Sequence, residues 1–342
     1  MTVHRRHRAA VPFASAVVAL GLLLAACTAQ TPADLDADPA PDASASAPTG
    51  GGATSEITGF ENVVVSTDWL DEHLDDPDVT VIEVSTEHGV YERGHIPGAV
   101  NYPWHTAFVD TVSRDIVSQA DFTDLGQAAG IGPDSTIVLY GDRNNWFAAW
   151  GAWVFTLYGH DDVRLLDGGR AAWEAEGREL AVAPPTPAAG TYEASEADPA
   201  LRAFLPEVLQ VATGDLDNAL VDIRSAAEFS GEIIAPEGFD ELAVRAGHVP
   251  GAVNVPWGQA VNEDGTLKSV EELRDLYAAA GVDGTKPVIV YCRIGERASH
   301  TWFVLNKILG YDAKLYDGSW TEYGNAVGVP IVNEAGTVWG GA

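Results

Sequence analysis

The sequence contains very little cysteine: Cys27 and Cys292 are the two cysteines among 342 residues. Cys27 ends a short apolar segment where processing is expected, which leaves Cys292 without a cysteine to pair with. The nine histidines show no ligand spacing with one another or with Cys292, so neither a metal site nor a cofactor is predicted. An unpaired thiol is unusual in an exported protein, because that compartment favours disulfides. Cys292 is therefore a candidate functional residue.

Positive charge is also scarce, with 19 lysines and arginines against 50 acidic residues and a formal net charge of −31. A surface of this charge repels nucleic acid and anionic lipid headgroups, so neither is an expected partner. All the lysines lie in the C-terminal third of the chain, which also contains Arg293 and Arg297. An anionic substrate is therefore expected there. The lysines are Lys268, Lys286, Lys307 and Lys314.

Residues 1–27 are typical of an export signal, because a basic start precedes an apolar run over 11–26 that is too short to span a bilayer comfortably. The sequence LAAC at 24–27 resembles the lipobox of bacterial lipoproteins. This resemblance implies cleavage before Cys27 and a diacylglycerol thioether on its sulfur. We therefore predict a lipid anchor at Cys27 on the extracytoplasmic face of the cell membrane. Residues 28–57, rich in small and polar side chains, are predicted to be a disordered spacer.

An internal repeat indicates a duplicated domain. The sequence GHIPGAVN at 94–101 recurs as GHVPGAVN at 247–254, and a Pro-Trp pair follows each copy. Apolar runs at 136–140 and 287–291, and the DGG and DGS sequences at 167–169 and 317–319, repeat in the same order. The pattern predicts domain 1 over 58–183, a linker over 184–198 and domain 2 over 199–335.

Short apolar runs alternate with helical patterns in both halves. In domain 2 we predict strands over 219–223 and 288–291, and helices over 269–280 and 298–309. Continuous apolar strands that alternate with helices are typical of a parallel sheet covered on both faces, which is an α/β fold. Functional residues of such sheets gather at the carboxyl ends of the strands.

The segment CRIGER at 292–297 connects a predicted buried strand directly to a helix. Cys292 would then lie above a loop whose N–H groups point inward, beside Arg293 and Arg297. These groups favour an anion, so the thiol is expected to titrate well below ~8.5 and to be nucleophilic. Gly295 provides the backbone freedom that a tight cradle needs.

Domain 1 lacks these features at the equivalent position. When Tyr140 is aligned with Tyr291, Gly141 lies opposite Cys292, and the following loop has one arginine, Arg143. We therefore predict that domain 1 is non-catalytic and serves as structure, with one wall of the substrate cleft as a second role. His95 and His248 occur in both copies, which favours a shared structural role.

The segment 291–303, the two GH(I/V)PGA sequences and the closing DGSWTEYG at 317–324 together resemble the tandem-domain rhodanese family, of the actinobacterial thiosulfate sulfurtransferase type. The resemblance covers residues 60–332. It implies two rhodanese-like domains, each a parallel five-stranded sheet flanked by helices, with only the second catalytic. It also implies a substrate-binding arginine at Arg224, whose alternative role is an ion pair with Asp222 or Glu228.

The resemblance and the loop together predict sulfur transfer from thiosulfate to cyanide or a thiol through a persulfide on Cys292. Arg224, Arg293 and Arg297 are predicted to bind the donor. Alternative functions are 3-mercaptopyruvate sulfurtransferase and a non-enzymatic sulfane-sulfur carrier or sensor that docks an acceptor protein. A cysteine phosphatase is disfavoured, because its loop has five residues between cysteine and arginine, whereas Cys292 and Arg297 enclose four. The predicted active-site loop comprises Ile294, Gly295 and Glu296.

Overall fold

The computed structural model of the protein describes residues 58–236 and 243–338. The predicted signal segment 1–27, the spacer 28–57 and the lipidation of Cys27 lie outside the described residues. No helix in the described ranges combines the length and the apolar character that a membrane span requires.

Two parallel sheets form the centres of the two halves of the chain. The strands are β1 (Val64–Val65), β2 (Val79–Glu83), β3 (Val100–Asn101), β4 (Val109–Asp110), β5 (Asp115–Ile116), β6 (Thr136–Tyr140), β7 (Val163–Leu166), β8 (Ala219–Asp222), β9 (Val253–Asn254), β10 (Val288–Tyr291) and β11 (Ala313–Leu315). The first sheet has the order β1-β7-β6-β2-β3 and the second β11-β10-β8-β9, while β4 and β5 form a separate antiparallel hairpin. Both sheets pair in parallel throughout their described strands, which confirms the tandem α/β arrangement.

Helices cover these sheets and connect their strands. The helices are α1 (Phe60–Val63), α2 (Thr67–Glu72), α3 (Val90–Arg93), α4 (Trp104–Ala107), α5 (Gln119–Ala128), α6 (Trp146–Leu157), α7 (Gly169–Ala175), α8 (Leu205–Thr213), α9 (Ala226–Ser230), α10 (Val270–Ala279), α11 (Glu296–Trp302) and α12 (Ser319–Tyr323). Short 3₁₀ helices cover Arg143–Asn145 and Trp257–Ala260. The predicted helix over 269–280 and the predicted strand over 288–291 are confirmed by α10 and β10.

The helix predicted over 298–309 differs from the structure in two ways. It begins earlier, at Glu296, because Gly295 has a φ of 101° and ends the loop directly before it. After Trp302 the chain continues as a π-helix over Phe303–Ile308, in which hydrogen bonds skip one more residue than in an α-helix.

The second sheet has four strands, whereas five were predicted. In place of a fifth strand, a single bridge joins Arg202 to Leu315. The Ala203 N–H donates to the Leu315 carbonyl at 2.9 Å, and the Leu315 N–H donates to the Leu201 carbonyl at 3.1 Å. The chain leaves the sheet immediately afterwards, because α8 begins at Leu205 with a proline in its first turn. Proline has no N–H to donate to a neighbouring strand, so this stretch cannot lengthen into a regular strand.

The two halves share one hydrophobic core, in which α6 packs against α11. Ten of the twelve residues of α6 are buried, and they include Trp150, Trp153 and Phe155. A helix that is apolar on all its faces must be enclosed by protein, and α11 of the other half supplies part of that enclosure. Because α6 follows the loop of domain 1 and α11 follows Cys292, their packing brings the two equivalent loops together.

The predicted linker 184–198 is attached to domain 1 by buried contacts. Tyr192 is buried in the shared core, and its ring packs so closely on α5 that a Cβ at Gly126 would lie 2.7 Å from the Tyr192 Cγ. The Ser195 N–H also donates to the Tyr158 carbonyl at 2.9 Å. The exact domain boundaries stay predictions.

The two repeated histidines have the structural role that their repetition predicted. The His95 ring stacks on Tyr91, with its Nδ1 3.0 Å from the Tyr91 carbonyl oxygen. The His248 ring stacks on Phe229, with its Nδ1 2.7 Å from the Phe229 carbonyl oxygen. Each ring therefore anchors a turn to the helix that precedes it.

Candidate active site

Cys292 directly follows β10, and its side chain is fully buried. The Gly295 N–H donates to the Cys292 Sγ at 3.1 Å, and the Cys292 N–H donates to the Ser319 Oγ at 3.1 Å. Gly295 cannot carry a side chain here, because a Cβ would lie 2.6 Å from the Trp150 ring and its φ is positive. The loop therefore curves around the sulfur, as the sequence predicted.

The predicted acidity of Cys292 is wrong. The pKa of its thiol is raised to about 11, first by burial and then by the negative charge of Glu296. Arg297 and the N–H groups of Gly295 and Ala298 lower the pKa, but they do not offset the burial. The sequence showed the neighbouring arginines, whereas the burial of the sulfur depends on tertiary packing, which a local sequence pattern does not reveal.

Arg297 lies beside the sulfur but its charge is already paired. Its Nη2 is 3.2 Å from Glu228 Oε1, and its Nη1 donates to Glu228 Oε2 at 3.3 Å. Burial alone would raise the pKa of Glu228, but Arg297 and the Ser225 N–H outweigh it and hold that pKa below its usual value. Glu228 is also the third residue of α9 and closes a capping box with Ser225. The pair therefore fixes α9 to the active-site loop.

A small cavity of about 170 Å³ lies against the loop. Arg293, Glu296 and Arg297 line it together with Trp146 of domain 1 and Pro236. The cavity thus brings together Arg293, Glu296 and Arg297 of the predicted set, whereas Cys292, Ile294 and Gly295 are not among its lining residues. It also places domain 1 in the wall of the cavity, in agreement with the second role expected for that domain.

Arg224 is placed away from this cavity, in a buried ion pair. It is 1% exposed; its Nη2 donates to Asp222 Oδ2 at 2.5 Å and to the Gly247 carbonyl at 2.7 Å. Its guanidinium also lies over the Trp320 ring at 4.7 Å. These contacts agree with the alternative role, the ion pair with Asp222, and the substrate contact of Arg224 stays a prediction.

Domain 1 contains the same arrangement built from a different position. Arg170 donates to both carboxylate oxygens of Glu83 at 3.0 Å, and it also donates to the Gly94 carbonyl. Glu83 and Gly94 are the counterparts of Asp222 and Gly247 in the repeat, but Arg170 is the counterpart of Trp320. Each half therefore has a buried guanidinium bound to an acid and to a glycine carbonyl, although the arginine comes from a different element in each half. This repetition indicates a structural role for the guanidinium.

Sequence reasoning missed Arg114, which reaches the loop from the β4–β5 hairpin of domain 1. Its Nη2 donates to the Ile294 carbonyl at 3.1 Å and to the Asp317 carbonyl at 3.2 Å. These partners are 180 and 203 residues away along the chain. No local pattern could have indicated the contact, which depends on how the two halves pack.

The equivalent loop of domain 1 cannot hold a cysteine at Gly141. A Cβ there would lie far inside contact distance of the Val84 carbonyl oxygen. The Gly141 N–H instead donates to the Asn145 Oδ1 at 3.0 Å, and the Asn145 side chain donates to the Leu166 carbonyl at 2.7 Å. In the domain 1 loop the Asn145 side chain therefore accepts the hydrogen bond of a loop N–H, whereas in the domain 2 loop the Cys292 sulfur does so.

The fold and the loop together define a tandem α/β protein with one nucleophile-bearing loop. Two segments, residues 66–176 and 205–326, match the family model of the rhodanese-like domain. The chain therefore belongs to the rhodanese family.

Relatives of known name align over nearly their whole length. A protein of Saccharopolyspora erythraea named as a thiosulfate sulfurtransferase is 53% identical over 275 residues, which cover 80% of this chain and 97% of the relative. The sulfur carrier protein TtuD of Thermus thermophilus is 51% identical over 273 residues, or 79% of this chain and 96% of the relative.

Solved structures agree on the fold. The crystal structure of SseA from Escherichia coli, described as a 3-mercaptopyruvate sulfotransferase, is 30% identical with a TM-score of 0.65 and covers 75% of this chain and 98% of that one. A persulfide form of EanB has a TM-score of 0.71 at 22% identity, covering 81% of this chain and 71% of that one, and this likeness bears on the fold alone.

Replacement of Arg224 by alanine is expected to act on stability and not on donor affinity. The change leaves Asp222 buried without its partner, which costs about 3–5 kcal/mol in the free energy of unfolding. The matched control is Lys286→Ala, which removes an exposed pair with Asp217 and should cost about 1 kcal/mol or less. Denaturant unfolding measures both. An unchanged unfolding midpoint together with a raised KM for thiosulfate would contradict the structural role.

Replacement of Arg114 by alanine is expected to slow sulfur loading about 10-fold with little change in KM. The guanidinium holds two loop carbonyls, and hydrogen bonds of this kind contribute about 0.5–1.5 kcal/mol each. Single-turnover loading from thiosulfate measures the effect, with the exposed Arg93→Ala as the control. A raised KM at an unchanged maximal rate would instead make Arg114 a donor-binding residue.

Proposed function

We propose that this chain is a sulfurtransferase that moves a sulfane sulfur from thiosulfate to a thiophilic acceptor through a persulfide on Cys292. One observation carries the proposal: the Cys292 sulfur is enclosed by a loop whose Gly295 N–H donates to it at 3.1 Å. Amide donors aimed at one sulfur can stabilise the charge of a second sulfur bound to it. The proposed acceptors are cyanide or a thiol, and a sulfur-acceptor protein is a candidate partner.

The proposed reaction has two half-reactions. The Cys292 sulfur attacks the outer sulfur of thiosulfate; the new S–S bond forms as the S–S bond of the donor breaks, and sulfite leaves with the electron pair. The acceptor nucleophile then attacks the outer sulfur of the persulfide, and the Cys292 sulfur leaves as a thiolate. Neither half-reaction needs a metal or an organic cofactor.

The charges of the cavity favour an anionic donor. Arg293 and Arg297 line it together with Glu296, on a chain whose net charge is −31. Because Arg297 is paired with Glu228, Arg293 is the residue that we propose attracts an anionic donor where the remaining surface repels one. Thiosulfate is the preferred donor because the relative from Saccharopolyspora erythraea named for that activity is 53% identical. A phosphatase is disfavoured, because Arg297 is already bound by Glu228 and the loop is one residue short for that chemistry.

Two further functions are supported by individual relatives. A 3-mercaptopyruvate donor is supported by the 30% identity to SseA over 75% of the chain. A sulfur-carrier role is supported by the 51% identity to TtuD, in which case turnover would depend on an acceptor protein. All three functions require the same persulfide and differ in what supplies or removes its sulfur.

We also propose that the mature chain is a lipoprotein anchored through Cys27 on the extracytoplasmic face of the cell membrane. The support is the LAAC sequence at 24–27 after a basic start and an apolar run, followed by a spacer-like composition over 28–57. An anchor of this kind would hold the two domains beside the membrane without a transmembrane segment.

Incubation of the full chain with thiosulfate is expected to add the mass of one sulfur atom per molecule, and cyanide should remove it. Intact-protein mass spectrometry measures the gain, with Cys27→Ser as the background so that Cys292 is the single thiol. Cys292→Ala in that background should gain nothing. If the thiol stays unmodified, thiosulfate is the wrong donor, and 3-mercaptopyruvate and an aryl phosphate then separate the remaining functions.

Replacement of Cys27 by serine is expected to move the chain out of the membrane fraction and to abolish metabolic labelling with a fatty acid, because serine has no thiol to carry the thioether. Fractionation and labelling of expressing cells measure both. Cys292→Ala provides the matched control, since it removes the other cysteine and should leave anchoring unchanged. Labelling that persists in Cys27→Ser would contradict the lipid anchor.

A further inference from the structure

The side chain of Glu296 contacts the sulfur that carries the proposed reaction. Its Oε2 lies 3.5 Å from the Cys292 Sγ, and the residue is 5% exposed. Glu296 is the first residue of α11, so it is held four residues from Cys292 by the loop and the helix start. It also lines the cavity of about 170 Å³, so this one side chain touches both the sulfur and the space available to a donor.

The charged groups around this carboxylate are identified by their contacts. Arg297 faces it from the same helix, with Nε 4.0 Å from Glu296 Oε1, and Arg293 lines the cavity beside it. Glu228 of α9 lies behind Arg297 and binds its guanidinium. Glu296 therefore shares Arg297 with Glu228, and its other oxygen is directed at the thiol.

The enclosed thiol needs a proton acceptor. A thiol attacks as the thiolate, and burial raises the pKa of Cys292 to about 11, so few molecules hold a thiolate at neutral pH. The sulfur is fully buried, so an adjacent side chain is better placed than bulk water to take the proton. A carboxylate within contact distance of the S–H can accept it as the sulfur attacks.

We infer that Glu296 is the catalytic base that removes the Cys292 thiol proton as the sulfur attacks its donor. The inference rests on the proposed function and adds the residue that accepts the thiol proton in its first half-reaction. The proton passes from Sγ to Glu296 Oε2 while Sγ bonds to the outer sulfur of thiosulfate and sulfite departs with the electron pair. The products are a persulfide anion on Cys292 and a protonated Glu296, so charge and atoms balance.

Glu296 could instead act only as a fixed negative charge, and that role predicts the opposite result. A charge beside the sulfur disfavours the thiolate, so its removal would lower the pKa of Cys292 and speed the attack. Loss of a base slows the attack although the thiol becomes more acidic. Glu296→Gln separates the two roles, because the amide keeps the size of the side chain and loses both the charge and the ability to take a proton.

The experiment compares the full chain with its Glu296→Gln form, both in the Cys27→Ser background. Thiolate absorbance gives the pKa of Cys292, and rapid-quench mass spectrometry gives the rate of sulfur loading from thiosulfate across pH. We expect the pKa to fall and the loading rate at neutral pH to drop about 100-fold, which is the size of a general-base contribution. The rate of the variant should then rise about tenfold per pH unit, because the thiol must ionise unaided.

Two further variants control for indirect effects. Glu296→Asp should recover part of the loading rate, because it restores a carboxylate at a longer distance. Glu271→Gln removes an exposed carboxylate at the start of α10 and should load sulfur at the rate of the parent chain. A loading rate that is unchanged or faster in Glu296→Gln would overturn the inference.

Alkylation by iodoacetamide tests Glu296 without a sulfur donor. If the parent chain takes no sulfur from thiosulfate, the proposed function fails by itself, and the inference is then decided by the alkylation rate of Cys292. Slower alkylation in Glu296→Gln, despite the lower thiol pKa, supports the base. Alkylation that is as fast as in the parent chain or faster overturns it.

Discussion

The packing of α6 against α11 is the contact on which the active site depends. Each helix follows the equivalent loop of its own domain, so a contact between the two helices brings both loops to one place. Trp150 of α6 closes over Gly295, and the Ser299 hydroxyl of α11 donates to the Trp146 carbonyl at 3.0 Å. Burial of an almost wholly apolar helix thus contributes the free energy that holds the Cys292 loop in a buried position.

The two copies differ in ways that separate what the fold needs from what the chemistry needs. Both retain an acid at the end of the second strand of the repeat, a guanidinium bound to it and a glycine carbonyl, although Arg170 and Arg224 reach that position from different elements. In contrast, the sulfur, its glycine cradle and the adjacent carboxylate occur once. Domain 1 therefore preserves the scaffold and contributes contacts, such as that of Arg114, to the Cys292 loop of domain 2.

The sequence was informative wherever a feature depends on neighbours along the chain. The repeat, β10, α10 and the loop around Gly295 were all predictable, because apolar periodicity, caps and glycine act over a few residues. The errors concern features made by distant segments. The sequence did not indicate the pairing of Arg297 with Glu228, 69 residues away, or the burial that raises the pKa of Cys292. The sequence left two roles open for Arg224, because both substrate ligands and buried ion pairs occur at the ends of strands.

A raised thiol pKa is consistent with the compartment that the lipobox-like segment predicts. Oxidants and disulfides react with thiolates and far more slowly with thiols, so a lone cysteine outside the cytoplasm is safest when buried and protonated. Cys292 meets both conditions, since it is fully buried with a pKa of about 11. Reactivity must then come from a group that acts only when a donor has entered the cavity. A carboxylate 3.5 Å from the sulfur meets this requirement, because it favours the thiol at rest and accepts the proton during attack.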